Sequence, residues 1–495
     1  MELYRDIDIQ AITDKLDQII EEATDIKKKT LEPTLEECLQ VKEVINDYIS
    51  KKKRIIYGGT AYNTLIIQKS KKDAIYKEND CKDIEFYSPK PIEDIMELAD
   101  ILHEKNFKYV QVRQANHAET YTLFVNFEQC CDVSYMPSNI FLNAPAITIN
   151  RIMYAHPMWI LVDILRQYND PITSYWRLKD KTFFRANVLL KHYPLELANV
   201  SLPKLDNKHD KIKEKLFVQL ANLHTVIFVG SIGNQYYLTR STKLDTTDLQ
   251  IISTNFSNDI KLIYKFLEEI LGSKFSDIVI NLYKPYFQFW DEHVEILLDG
   301  IILLKIFGSN HKCIPYNILH LEDSLESIKS IQLGGYFKVE SKRSNKLIKS
   351  GGSSKSKKSE SNNAIKLGTF MFLFQHLLVE RHYWYTSRSE KYKQIETIMS
   401  KLLKERKDYL ESKSLTVMDS SPYKEFVIRC SGDTIDQGRE FRLGLIKRKA
   451  QGLRLLFTYD PDRSDKSSKT KIPEYKFANT SGNIDKNGIQ KIFDK

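Results

Sequence analysis

Cysteine is scarce in this chain. Six occur in 495 residues, Cys38, Cys81, Cys130, Cys131, Cys313 and Cys430, and none forms a CxxC pair. A structural zinc site normally needs such spaced pairs, so none is expected. Long apolar runs are also missing. The most apolar stretch, residues 294–307, is interrupted by Glu295, Asp299 and Lys305, which makes it too short and too charged to span a bilayer. The first residues, Met-Glu-Leu-Tyr-Arg-Asp, are charged and lack the apolar centre of a secretory signal. These absences predict an intracellular, reducing compartment, no membrane partner and six free thiols. What is present is a length for two or three domains, an ordinary 42% of apolar residues and a net charge of +9, which favours a polyanionic partner.

Residues 9–53 read as two helices, with Ile12, Leu16, Ile19 and Ile20 at helical spacing in the first and Val41, Val44, Ile45 and Tyr48 in the second. A short apolar run, 54–57, then ends in Gly58-Gly59, and a helix resumes at 62–67. A polar, lysine-rich insertion (69–82) follows. Residues 83–87 alternate as a strand does, 92–103 form an amphipathic helix, and 109–113, 120–127 and 130–135 read as strands. Together these make a small α/β unit. A helical region is expected over 149–192. Residues 338–365, rich in Ser, Gly and Lys, cannot bury a core and read as a flexible basic loop. Further helices are expected at 369–411, and the tail beyond 459 reads as loosely held.

The chemistry concentrates in three segments: Ile55-Ile56-Tyr57-Gly58-Gly59-Thr60, Asp83-Ile84-Glu85-Phe86 and Cys131-Asp132-Val133. Two glycines between a strand and a helix let backbone N–H groups approach a triphosphate, with the helix N-terminus facing the anion. Carboxylates at i and i+2 of a strand share a face. With a third on a neighbouring strand they can hold two Mg²⁺ ions roughly 3.5–4 Å apart, the arrangement that activates a 3′-hydroxyl and stabilises leaving pyrophosphate. Each piece alone is commonplace. Their order and placement carry the argument.

This pattern resembles the hG[GS]…Dh[DE]h…h[DE]h signature of DNA polymerase β-like nucleotidyltransferases. Tyr-Gly-Gly-Thr-Ala-Tyr-Asn (57–63), Asp83-Ile84-Glu85 and Trp176-Arg177-Leu178-Lys179 are similar to the poly(A) polymerase catalytic subunits of large DNA viruses, the mimivirus-like group above all. The resemblance implies a template-independent adenylyltransfer from ATP to the 3′ end of RNA, with Mg²⁺ or Mn²⁺. It implies that Gly58, Gly59 and Thr60 hold the ATP phosphates, that Asp83 and Glu85 bind both metals, and that Asp132 completes the one activating the 3′-hydroxyl. It further implies a homodimer, a viral processivity factor, and a place in the host cytoplasm at the viral factory, and in the virion. A synthetase of short oligoadenylate or cyclic dinucleotide, and a non-catalytic RNA-binding relic, are the alternatives.

Two basic clusters are candidates for phosphate contact. Arg177, Lys181 and Arg185, four apart, would share a helix face. Arg439, Arg442, Lys447, Arg448, Lys449 and Arg454, interleaved with Phe441, Leu443 and Leu445, read as a basic strand or ribbon.

Residues 226–231 (Val-Ile-Phe-Val-Gly-Ser) echo 54–59, and Asp248-Leu249-Gln250 echoes Asp83-Ile84-Glu85 with the second acid lost to an amide. The expected fold is therefore α+β, two nucleotidyltransferase-like lobes, each a mixed sheet with flanking helices, the second degenerate. The expected division is N-terminal helices at 1–50 packing on a catalytic lobe at 51–195, then the degenerate lobe at 196–495.

Overall fold

A computed structural model describes residues 3–77, 80–203, 208–239, 249–309, 312–321, 337–339, 364–452 and 456–463. In chain order the elements are α1 (Asp6–Thr30), α2 (Leu35–Lys52), β1 (Ile55–Tyr57), α3 (Gly58–Lys69), β2 (Ile84–Ser88), α4 (Pro91–Glu104), β3 (Gln111–Gln114), β4 (Thr120–Val125), β5 (Glu128–Tyr135), α5 (Ser138–Phe141), β6 (Ala146–Ile149), β7 (Ile152–Ala155), α6 (Pro157–Tyr168) and α7 (Phe184–His192). They continue with α8 (Asp210–Ala221), β8 (Val226–Val229), α9 (Gly230–Thr239), β9 (Leu249–Ser253), α10 (Phe256–Leu271), β10 (Ile278–Tyr283), β11 (His293–Leu298), β12 (Ile301–Gly308), β13 (Ile314–Leu321), β14 (Phe337–Val339), β15 (Ala364–Gly368), α11 (Phe370–Thr386), α12 (Lys391–Ser412), β16 (Cys430–Ser431), α13 (Gln437–Ala450) and β17 (Thr458–Tyr459).

The chain divides into two compact units. The first holds Met1–Phe141, Pro145–Pro157 and the chain from Gln437 onward through α13 and β17; the second holds Leu142–Ala144 and Met158–Asp436. The border expected near 195 thus falls at 157. Physically, α6 belongs to the second unit: Trp159 packs on Phe287 and Phe289, and the Met158 carbonyl meets His382 Nε2 at 3.2 Å. The helical stretch expected from 149 begins instead with the β6–β7 hairpin, paired Ile149↔Ile152.

Each unit is built on a mixed sheet with flanking helices, as expected. In the first, the strand order is β17-β3-β4-β5-β2-β1-β7-β6; in the second it is β10-β11-β12-β9-β8-β15-β13-β14. Seven strands correspond, β3-β4-β5-β2-β1-β7-β6 with β10-β11-β12-β9-β8-β15-β13, while β17 and β14 are added at opposite edges. β1 is antiparallel to β2 as β8 is to β9. β2 is parallel to β5 as β9 is to β12, and β1 is parallel to β7 as β8 is to β15. The amphipathic pattern read at 92–103 becomes α4, which buries Ile92, Ile95, Leu98, Ala99 and Leu102. Its counterpart α10 buries Phe256, Ile260, Ile263 and Leu267.

One polar contact recurs at the same place in both units. Asp94, in the first turn of α4, accepts from Ser88 Oγ at the end of β2, and Ser88 Oγ in turn accepts from Lys90 N at 2.8 Å. Asp259, in the first turn of α10, accepts from Ser253 Oγ, which accepts from Asn255 N at 3.1 Å. A carboxylate at a helix N-terminus is favoured by the helix dipole, and both are buried enough to need partners. Asp94 gains two more, Arg54 as a two-pronged ion pair and Tyr48 Oη at 3.1 Å. Asp259 gains Thr225 Oγ1 at 2.8 Å.

Four expectations change. Of the N-terminal helices, α2 packs on the lobe through Val41, Ile45, Tyr48 and Ile49, but α1 buries no residue. The cluster expected as a basic ribbon is helical, α13, with Arg439, Arg442, Lys447 and Lys449 exposed; Arg454 lies outside the described residues. Cys313 and Cys430 are disulfide-bonded rather than free, because β13 pairs antiparallel with β16 (Pro315↔Cys430) and brings together residues 117 apart in sequence. Cys38, Cys81, Cys130 and Cys131 remain thiols. The insertion is partly ordered, since Asn63 Oδ1 accepts from Ile75 N and Tyr76 N at 2.8 and 3.0 Å, and β2 still starts immediately after Asp83. Most of the loop expected at 338–365 lies outside the described residues.

Removing Asp94 strands a partly buried guanidinium, whereas removing Asp259 strands only hydroxyls. Asp94→Ala should therefore lower stability by roughly 3–5 kcal/mol and Asp259→Ala by about 1–3 kcal/mol, read as shifts in urea unfolding midpoint. Equal shifts would refute the ion-pair account.

Candidate active site

β1 ends at Tyr57, and the chain turns through Gly58, whose φ of +67° favours glycine, directly into α3. The turn is crowded. A Cβ on Gly58 would lie 1.7 Å from Glu85 Oε2, and one on Gly59 would lie 2.2 Å from the Tyr76 hydroxyl. Gly59 N donates to Glu85 Oε2 at 2.9 Å, and Thr60 Oγ1 donates to the Asp83 carbonyl at 3.0 Å. The glycine pair is thus fixed by close approach of the acidic strand to the start of a helix. Thr60, expected at the phosphates, has its hydroxyl proton engaged with the backbone of Asp83.

The three carboxylates are gathered by strand pairing. β2 runs parallel to β5 with Glu85 level with Asp132, and Asp83 is the residue before β2. All three are half-buried. Gln129 Nε2 donates to Asp83 Oδ2 and Asp132 Oδ2, each at 3.1 Å, and so bridges the two aspartates. Thr122, level with Asp132 on β4, donates its hydroxyl to Asp132 Oδ1 at 2.6 Å. Burial pushes the Asp132 carboxyl above the usual range, and the charge of Asp83 adds to the rise; the Thr122 and Gln129 bonds oppose it. Tyr57 stacks on Tyr87 (centroids 3.9 Å apart) and shares a 2.7 Å hydrogen bond with Ser134. Burial, then the Glu85 charge, holds its phenol well above the ordinary value.

Among the described residues, no three His, Cys, Asp or Glu side chains are arranged to hold a metal ion. The Glu85 carboxylate is turned back onto the Gly59 N–H. The donor set nevertheless fits a hard divalent cation. It offers only carboxylate oxygens, and Asp83 and Asp132 are near enough for one to raise the other's pKa.

Arg177, Lys181 and Arg185 belong to the second unit. They do not lie on one α-helical face. Arg177 ends a 3₁₀ turn (Tyr175–Arg177), Lys181 sits in a π-helical turn (Leu178–Phe183), and Arg185 is in α7. Arg177 donates to Gln167 Oε1 at 3.0 Å and lies 4.5 Å over the Trp176 ring, with Lys181 Nζ 5.7 Å from the same ring. Tyr175, Trp176, Phe183 and Phe184 are exposed around them.

The register of the second sheet shows what became of the same positions there. Gly230 (φ +61°) faces Gln250 as Gly58 faces Glu85, with a Cβ 2.3 Å from Gln250 Cδ. On β12, Lys305 is level with Gln250, where Asp132 is level with Glu85. On β11, Glu295 is level with Lys305 and its carboxylate lies 3.6 Å from Lys305 Nζ, in the place of Thr122. Asp248 lies outside the described residues. An amide and a cation where the first unit has two acids leave no divalent-metal site of that kind. The loss at Gln250 was legible in the sequence; Lys305, like Gln129 and Thr122 in the first unit, is recognisable only once strands are placed side by side.

The model of the poly(A) polymerase catalytic subunit family matches residues 43–174. The model of the C-terminal part of the same subunit, drawn from APMV, matches 189–330 and 336–493. A protein of Acanthamoeba polyphaga mimivirus assigned as a poly(A) polymerase catalytic subunit is 29% identical over 515 residues, 97% of this chain and 82% of its own length. One so assigned in African swine fever virus is 34% identical over 163 residues, 32% of this chain and 34% of that protein. The crystal structure of the Megavirus polyadenylate synthase superposes with a TM-score of 0.80 at 27% identity, covering 97% of this chain and 93% of that one. With both lobes matched and the two-sheet architecture shared throughout, the chain belongs to the poly(A) polymerase catalytic-subunit family of large DNA viruses.

Proposed function

We propose that the first lobe transfers AMP from ATP to the 3′-hydroxyl of viral mRNA with release of pyrophosphate, and that the second lobe carries no chemistry. The observation that carries this reading is the parallel register placing Glu85 beside Asp132, two residues along from Asp83, at the mouth of the glycine turn. Asp83, Glu85 and Asp132 would hold Mg²⁺ or Mn²⁺, which supplies hydroxyl activation and neutralises charge on the leaving group. Glu85 would leave the Gly59 N–H to do so, freeing that donor and the α3 N-terminus for a phosphate oxygen. Gln129, which now offsets the repulsion between Asp83 and Asp132, would turn aside. Arg177, Lys181 and Arg185 would bind phosphates, and the exposed aromatic rings beside them suit unpaired bases. The homodimer, a viral processivity factor and residence in the host cytoplasm and virion belong to this reading through family resemblance.

The assay combines the protein, labelled ATP, Mg²⁺ or Mn²⁺, and an RNA oligonucleotide with a free 3′-hydroxyl. Long ladders are expected; short products formed without primer would make it an oligonucleotide synthetase instead. Asp83→Ala and Asp132→Ala should each cut incorporation by roughly a thousandfold or more with the thermal unfolding midpoint retained. Activity surviving in either variant would sink the site. Separately, Arg177→Ala and Lys181→Ala should weaken RNA binding for every sequence and flatten the log–log salt dependence by about 0.7 per lost contact. An unchanged slope would remove these residues from the RNA path.

A further inference from the structure

A cavity of about 160 Å³ opens on the second unit, and every residue lining it falls within Met158–Asp436. The end of α6 and the turns after it, the start of α11, and the loop 424–428 ahead of β16 meet there. Its walls are mostly apolar and aromatic, with Tyr168, Tyr175, Leu178, Met371 and Phe426 among them. An apolar cavity of about 150 Å³ takes a benzene ring, so this one suits a single heterocycle with the rest of its molecule outside. Phe426 holds a φ of +54°, which a bulky side chain rarely adopts and which persists only where its surroundings over-determine it. Its ring lies 4.9 Å from that of Tyr168 and 6.3 Å from that of Phe183.

Two polar groups of the lining residues identify the occupant. Asn169 is 8% exposed, and its Nδ2 gives both hydrogens away, to the Met371 carbonyl at 3.1 Å and to Gln375 Oε1 at 3.0 Å. A backbone carbonyl can only accept, so the orientation of the amide is fixed, and among the described residues nothing donates to Asn169 Oδ1. Thr369 is 4% exposed and caps α11 by accepting from Phe372 N at 3.4 Å, but its hydroxyl proton has no acceptor among the described residues. Glu425, the acid in the lining, is engaged by Tyr168 Oη and Arg406. The pair thus offers one acceptor and one donor. Of the four RNA bases, adenine alone presents one donor, its 6-amino group, beside one acceptor, N1, on its pairing edge. Uracil, cytosine and guanine each bring a third polar group, costly to bury unmatched. Tyr175 and Leu178 flank Trp176 and Arg177 in sequence, so the cavity adjoins the basic and aromatic patch, and the exposed Lys424 adds a cation for a phosphate outside. We propose that this cavity is an adenine-selective subsite that receives one base of the RNA strand, so that the second lobe grips the adenylate tail. The proposal rests on the reading that the chain acts on RNA, and it adds a base preference that phosphate contacts do not supply.

Fluorescence anisotropy of labelled oligonucleotides with the full chain, without ATP or metal so that nothing is extended, reads the preference. Oligo(A) should bind about tenfold more tightly than oligo(U) at equal salt. An oligomer of purine riboside keeps the stacking face but lacks the 6-amino group, and should bind like oligo(U). Val427→Trp fills the cavity; it should bring oligo(A) down to the level of oligo(U) while oligo(U) binding, ATP binding and the thermal unfolding midpoint stay unchanged. The purine riboside comparison needs no variant and decides the matter should Val427→Trp not fold. Equal binding of oligo(A) and oligo(U), or purine riboside binding as tightly as oligo(A), overturns the subsite and leaves RNA binding standing. Loss of ATP binding in Val427→Trp would give the cavity to the mononucleotide and overturn its assignment to the tail. A chain that binds no RNA at all overturns both this proposal and the reading it rests on.

Discussion

The parallel pairing of β2 with β5 is the constraint on which the rest of the candidate site depends. It sets Glu85 level with Asp132 and puts Asp83 one residue before the strand. It also presses the acidic strand against the Gly58 turn so closely that a side chain there would overlap Glu85. Three acids so close repel one another unless something intervenes. Here Gln129, Thr122 and the Gly59 N–H intervene, each as a neutral hydrogen-bond donor. The candidate site is thus held together by hydrogen bonds from neutral donors.

The second lobe keeps the frame and discards the charge. Its strand order, its left-handed glycine after the first strand and its serine-to-aspartate contact at the following helix all repeat. Those features concern folding: a tight turn, a capped helix and a buried sheet. At the positions of the acids stand Gln250 and Lys305, and Lys305 is neutralised by Glu295 across the strand pair. The shared parts are those the fold needs, and the altered parts are those the proposed chemistry would need.

The local signals proved reliable where one element settles the matter. The helix at 92–103, the strand and glycine turn at 54–59, and the amide at 250 could be read because periodicity, backbone permissiveness and side-chain charge are properties of short segments. Reading failed where two distant segments decide. Residues 437–450 carry interleaved apolar and basic side chains, yet form a helix that buries none of its described side chains. The N-terminal helices looked alike in sequence, but only α2 buries side chains in its own lobe.

By itself the sequence determined the chemistry available: a glycine pair before a helix, three acids in a set order, and a second copy missing one of them. The tertiary structure alone decided which acids stand level, that Gln129 and Thr122 hold them, that Lys305 replaces Asp132, and that Cys313 meets Cys430. The physical reason is the same in each case. Register between strands is set by whole-sheet packing and turn geometry, and no short window of sequence contains both partners.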